Sequence, residues 1–302
     1  MYRLTPTDKR NITLAEKASE RGDGETALKY YLKAAENGNV SAMIDCACIY
    51  FEGRKGVEKN VDKAIEWFKK AGQLGSSAAL NNIGYIYGTM GNNKAAISWY
   101  EKAANLGDAV AMLNLSNIYR VEYPNINLAQ KWLKKAESLT DTFSIRKVAD
   151  YYFWEDVAYN HIDKAIKLYK KAIHLGDIEA YKELGDVFFG IEDFKNAHDT
   201  YRDGANAGNV ECMVNLGMML IYAPNCFEPA QYWLSKAIAY GDKEAVRYLG
   251  ELYAEYEIYP KALRFYRKAV LNGIHDAAKD LEDIKKLIKR KKPDYKLKVR
   301  EI

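Results

Sequence analysis

Four histidines, four cysteines and one glycine-bracketed basic loop are the residues here whose types and spacing could do chemistry. The loop is YFEGRKGVEKN, Tyr50–Asn60, with Arg54 and Lys55 between Gly53 and Gly56. Glycines let backbone N–H groups converge on a phosphate, and a lysine can neutralise it. This loop, however, lacks the spacing of a P-loop, and no Gly-Lys-Ser/Thr follows. It also joins two segments of helical period, with no strand before it. It reads as a connector whose glycines turn the chain and whose Val57 tucks under the next helix. Cys46, Cys48, Cys212 and Cys226 contain no CxxC pair, and Cys46 and Cys48 point to different faces of a helix. They read as small apolar core residues or free thiols. His161, His174, His198 and His275 form no His-x-x-x-His or Glu-x-x-His pair, so surface or packing roles are expected. Paired acids such as Glu192 and Asp193 read as solvated helix starts. No nucleophile elbow, dinucleotide fingerprint or kinase signature is present. No enzyme, cofactor or metal site is expected.

The elements that carry these residues repeat. Eight segments align: ALKYYLKAAENG at Ala27, AIEWFKKAGQLG at Ala64, AISWYEKAANLG at Ala96, AQKWLKKAESLT at Ala129, AIKLYKKAIHLG at Ala165, AHDTYRDGANAG at Ala197, AQYWLSKAIAYG at Ala230 and ALRFYRKAVLNG at Ala262. Each opens on Ala, and a second small residue stands two helical turns on, Gly204 in the sixth copy and Ala elsewhere. Small residues on one face let a neighbouring helix approach closely, while rings such as Trp67, Phe68, Trp99 and Tyr100 fill the adjacent stripe. The apolar period is helical.

Each segment but the fourth ends in glycine: Gly38, Gly75, Gly107, Gly176, Gly208, Gly241 and Gly273. That is where a helix end takes a left-handed residue. Asn39, Asp108, Asp177, Asn209 and Asp242 follow as candidate N-caps. A second helix then starts on a small residue: Ala42, Ala79, Ala111, Ala180, Cys212 or Ala245. Two helices of about 14 residues make one unit, with an apolar face that only a stacked neighbour can bury.

The stretch YFEGRKGVEKNVDKAIEWFKKAGQLGSSAALNNIGYIY resembles a Sel-like repeat (SLR), a relative of the tetratricopeptide repeat. The resemblance covers roughly residues 8–285. Only Tyr50–Asn60 carries the family's glycine connector, and the fourth unit departs furthest, with Thr140 for glycine and Ser144 for alanine. It implies an all-α fold, an α-solenoid of about eight antiparallel helix pairs in a right-handed superhelix. The expected organisation is one solenoid over 1–292 with a C-terminal capping helix, then a basic tail, 293–302.

In such solenoids the first helix of each pair lines a concave side. Carrying those positions over, as the resemblance implies, gives a partner-binding set. It contains Asn81, Tyr85, Asn117 and Arg120; Arg146, Asp150 and Trp154; Lys182, Asp186 and Phe189; Met218 and Tyr222; Arg247 and Glu251. Leu113, Phe153 and Val214 fall on the same stripe. Arg146, Lys182 and Arg247 with aromatics between them suggest a binding surface. VEYPNIN (121–127) and DYYFWEDVAYNH (150–161) break the regular pattern. The second reads as core between two units, or as a lip for a bound segment.

The whole chain sets the frame. Its 302 residues are 48% hydrophobic and 28% charged, with 6 prolines and 24 tyrosines, as suits a folded helical protein. No apolar run is long enough for a membrane span, and MYRLTPTDKR shows no secretory pattern. A bacterial cytoplasm is expected. The net charge of +4 is uneven, because the basic residues crowd the segment from Lys285 onward. The expected function is non-catalytic: a scaffold or adaptor holding a peptide or protein, or a regulator, inhibitor or immunity partner. The alternative is nucleic-acid binding through the tail and the Arg/Lys positions, which is disfavoured because the body has no matching basic stripe. Self-association through an end helix stays open.

Overall fold

A computed structural model of the protein describes residues 5–155 and 161–291; the tail lies outside the described residues. Those residues form helices and turns, with no strand among them. They divide into two compact units, Met1–Tyr151 and Tyr152–Ile302.

Unit 1 contains α1 (Pro6–Glu20), α2 (Gly24–Glu36), α3 (Val40–Glu52), α4 (Val61–Gln73), α5 (Ser77–Thr89), α6 (Asn93–Asn105), α7 (Ala109–Val121), α8 (Ile126–Glu137) and α9 (Thr142–Asp150). A single π-helical turn, Tyr151–Glu155, follows. Unit 2 contains α10 (Ile162–His174), α11 (Ala180–Gly190), α12 (Phe194–Asn206), α13 (Val210–Ile221), α14 (Phe227–Ala239), α15 (Ala245–Glu255), α16 (Tyr259–Leu271) and α17 (Ala277–Lys291). Most helices have 13 residues, one short of the expected length. Each odd helix from α1 to α7 and from α11 to α15 packs most heavily on the even helix that follows it.

The small residues sit where the spacing puts them. Ala27, Ala34, Ala64, Ala71, Ala96 and Ala103 of unit 1 are wholly buried, as are Ala165, Ala172, Ala197, Ala230 and Ala237 of unit 2. Gly185 shows why size matters. A Cβ there would stand 2.3 Å from Cε1 of Tyr201, so the ring of α12 lies flat on the backbone of α11.

The turns follow the glycine rule: all seven segment-end glycines have φ between +77° and +98°. Asn39, Asp108 and Asn209 accept hydrogen bonds from the backbone N–H three residues on and cap their helices. Asp177 instead accepts from Glu179 N at 3.1 Å, and α11 starts later, at Ala180. The Gly53–Gly56 loop is a connector. Both glycines are left-handed, and Val57 is half-buried against the unit 1 core. A side chain at Gly56 would come within 2.9 Å of Glu25 Cβ, so the loop lies close on the start of α2. In unit 2, α17 presses Ile284 and Ile288 onto the end of the core.

Candidate functional site: two clefts between helix pairs

Among the described residues a cleft opens in each unit between consecutive hairpins. In unit 1, α5, α6 and α7 enclose about 510 Å³ lined by Tyr85, Gly88, Asn93, Tyr100, Asn114, Asn117, Ile118, Val121 and Glu122, with Thr89 and Gly91. In unit 2, α11, α12 and α13 enclose about 600 Å³ lined by Asp186, Phe189, Phe194, Tyr201, Asn215, Met218, Met219, Tyr222 and Ala223. The nine unit 2 residues pair in order with the first nine of unit 1, always at the same sequence offset. The two clefts are one construction repeated.

Their chemistry differs. The unit 1 cleft is rich in amides. Asn114 Nδ2 donates to Asn81 Oδ1 at 3.1 Å, and Arg120 Nη2 donates to Asn117 Oδ1 at 2.8 Å. Asn93 Nδ2 reaches Glu122 Oε2 at 3.4 Å. Tyr85 is half exposed at the mouth, its ring edge-on to Phe51 at 6.2 Å. Burial holds the Tyr100 phenol up at about 12.

The unit 2 cleft is aromatic and thioether-lined over one carboxylate. Asp186 accepts from the Tyr201 hydroxyl at 2.6 Å, from Asn215 Nδ2 at 3.4 Å and from Lys182 Nζ at 2.8 Å. Burial and then this bond push Tyr201 far above the ordinary phenol range, and the Asp186 bond raises Lys182. The Tyr222 hydroxyl donates to Glu251, which together with partial burial pushes its pKa up to about 12. Tyr201, Lys182 and Tyr222, all raised, stay protonated at neutral pH. Such an arrangement can hold a ligand by its shape and polarity. The thiols of Cys46 and Cys212, pushed up to about 12 by burial, are poor nucleophiles. Among the described residues no group of three His, Cys, Asp or Glu side chains could hold a metal ion.

Six of the sequence-predicted residues line a cleft: Tyr85 and Asn117 in unit 1, and Asp186, Phe189, Met218 and Tyr222 in unit 2. Asn81, Arg120, Lys182 and Glu251 each bond to a lining residue. The others lie elsewhere. Arg247 Nε meets Asp280 of α17 at 2.5 Å. Arg146 lies over the Phe143 ring, and Asp150 takes Lys147 at 2.7 Å. Trp154 is exposed beside Phe153. Two neighbours on the expected stripe, Leu113 and Val214, are core side chains rather than surface. Of the three cations expected there, Lys182 and Arg247 are thus ion-paired within the chain. Tail residues 293–302 and residues 156–160 of the aromatic stretch lie outside the described residues.

Sequence reasoning missed Phe194, Asn215 and Met219 in unit 2, and Asn93, Asn114 and Ile118 in unit 1. The available signal was the alignment itself. Asn114, Ile118, Asn215 and Met219 each sit just beside a stripe position already chosen, whereas Asn93 and Phe194 open the second helix of their pairs.

Helix pairs in tandem, with small residues at every crossing and glycine at the turns, define an α-solenoid of tetratricopeptide-like build. Within that class the chain belongs to the Sel1 repeat family, whose profile matches residues 16–39, 40–76, 77–108, 109–141, 144–177 and 259–274, more than half of the sequence. Residues 178–258 fall between matched segments, yet α11–α15 keep the same build. No curated protein matches the chain. Among solved structures, yeast Tom70 superposes with a TM-score of 0.61 at 16% identity, over 97% of this chain and 67% of Tom70. That likeness concerns the fold alone. The protective antigen c5321 of uropathogenic Escherichia coli, described as displaying an SLR fold, shares 23% identity over 94% of this chain with a TM-score of 0.45. The chain spans 65% of the length of c5321. The Pseudomonas aeruginosa immunity protein Pa5087 shares 20% identity, with a TM-score of 0.43, over 89% of this chain and 85% of its own.

Proposed function

We propose that the protein is a non-catalytic interaction scaffold whose odd-numbered helices bind a peptide or a surface segment of another protein. The observation that carries the reading is the pair of open clefts at equivalent repeat positions, each with an exposed tyrosine among its lining. Tyr85 is 54% exposed in unit 1, and Tyr222 is 66% exposed in unit 2. Rings held on rigid helices lose little entropy when covered, which makes them good anchors for a partner.

On this reading the solenoid runs through residues 1–292 as one scaffold. Its role is that of an adaptor, or of a regulator or immunity-type inhibitor that masks its partner. A bacterial cytoplasm is the proposed setting, and four free cysteines, two of them buried, suit a reducing compartment. The test is affinity capture from a cytoplasmic extract with wild type, Asn117→Lys and Met218→Lys. A stoichiometric protein lost with either cleft variant supports the reading. A partner retained by both variants removes the clefts from the account.

A further inference from the structure

Resting on that binding role, we infer that the unit 2 cleft takes a cationic peptide segment anchored by one large apolar side chain. The recess has the size and lining of a side-chain pocket. Phe189 and Phe194 are each about half exposed, and their rings meet edge to face at 5.4 Å. Met218 and Met219 supply thioethers, flexible enough to mould around an incoming group. Exposed apolar side chains gathered around one recess mark an interaction site.

Charge decides the flanking chemistry. Helices α11, α13 and α15 carry five carboxylates against one lysine and one arginine. Both cations are neutralised internally: Lys182 lies 2.8 Å from Asp186, and Arg247 lies 2.5 Å from Asp280 of α17. Glu251 receives the Tyr222 hydroxyl, a neutral donor that leaves its charge in place. Glu255, exposed, stands one helical turn further along α15. An apolar recess beside two carboxylates repels acidic segments and attracts ammonium and guanidinium groups. The occupant that satisfies both features is a large apolar residue with lysine or arginine beside it.

The test uses fluorescein-labelled nine-residue peptides with a central Phe flanked by Lys, Ser or Glu, followed by polarisation at low and moderate salt. The full chain is compared with Met218→Lys, Tyr222→Ser and the double variant Glu251→Gln/Glu255→Gln, each checked for a native melt. The Lys-flanked peptide is expected to bind best. Met218→Lys should weaken it about tenfold, equivalent to about 1.4 kcal/mol. The double variant should weaken it several-fold and flatten its salt dependence. Tyr222→Ser, at an exposed position, serves as the second cleft variant should Met218→Lys melt early. If the Glu- or Ser-flanked peptide binds as well and remains Met218-sensitive, the charge inference falls while the scaffold reading stands. Binding of the Lys-flanked peptide unchanged in both cleft variants, or absent altogether, overturns the inference. So does self-association of the chain that Met218→Lys abolishes, because a second copy would then cover the cleft.

Discussion

Unit 1 puts Gly88, Asn93, Asn117 and Val121 where unit 2 puts Phe189, Phe194, Met218 and Tyr222. Behind them three positions agree. Tyr100 and Tyr201 stand at one position, Asn114 and Asn215 at another, and Gly84 and Gly185 let those tyrosines lie against the helix backbone. The difference teaches that fold and recognition are written on separate positions of the same helices. Small residues and the ring they admit set the hairpin, and they persist. The side chains over the opening are not the small residues of the helix crossings, and they change from amide to aromatic while the crossings persist.

That comparison breaks first if the small positions tolerate bulk. Ala103, wholly buried at a helix crossing, cannot accept Trp without moving a neighbour, so Ala103→Trp should cost unit 1 well above about 3 kcal/mol. In unit 2, Gly185→Ala should cost about 1–3 kcal/mol. Its Cβ would meet a ring that is also tethered by the 2.6 Å bond to Asp186. Thermal and urea melts read both; an unchanged midpoint in either would refute the packing frame. The complementary change is a graft of unit 1 chemistry into unit 2: Phe194→Asn, Met218→Asn and Tyr222→Val together. Stability should fall by less than about 2 kcal/mol, since no buried cavity forms. Fluorescence of bound anilinonaphthalene sulfonate, a probe of exposed apolar surface, should fall severalfold. The reverse graft, Asn117→Met with Val121→Tyr, should raise it in unit 1.

The fold could be read almost completely from the sequence because its determinants recur. Ala at the head of each segment and glycine at its end appear copy after copy, and each copy checks the others. Even Ser144, an exception in the fourth unit, sits buried in the same small slot. The clefts could be read only in part. Tyr85, Asp186, Phe189, Met218 and Tyr222 came from transferring positions, which places a residue on a face but not beside its neighbours. Whether Lys182 or Arg247 faces a partner depends on Asp186 and Asp280, and those pairings appear only once the helices are packed. Phe194 was missed because it opens the second helix of its pair, whereas the transferred positions came only from first helices.

A smaller effect separates the units at their turns. Gly91 closes α5 with φ +74°, and Glu192 closes α11 at the equivalent position with φ +62°. A side chain in the left-handed region costs roughly 1–2 kcal/mol, partly offset in glycine by greater freedom of the unfolded chain. Glu192→Gly should therefore stabilise unit 2 by about 0.5 kcal/mol, and Gly91→Ala should destabilise unit 1 by about 1 kcal/mol. Nothing stands within 4 Å of a Cβ at Gly91, so backbone strain alone sets that loss. Equal melting shifts of the same sign in the two variants would contradict the equivalence of the turns.

The smallest effect falls on Tyr222, which has Val121 as its counterpart in unit 1. Its bond to Glu251 exists only while the phenol is protonated, and it holds the pKa at about 12 against an ordinary value of 10.0. A group whose pKa rises on folding contributes stability that is complete below its unfolded value. The contribution is then lost as pH climbs through the folded value. The stability from this bond should thus be complete in mildly alkaline solution up to about pH 10 and should be lost between about 10 and 12. An ultraviolet difference titration at 295 nm, wild type minus Tyr222→Phe, should isolate one late-titrating phenol. Glu251→Gln should move that phenol back toward 10, because the carboxylate that penalises ionisation is gone. A Tyr222 titrating near 10 in wild type would remove the Glu251 contact from the wall of the cleft, leaving that carboxylate fully available to a cationic partner.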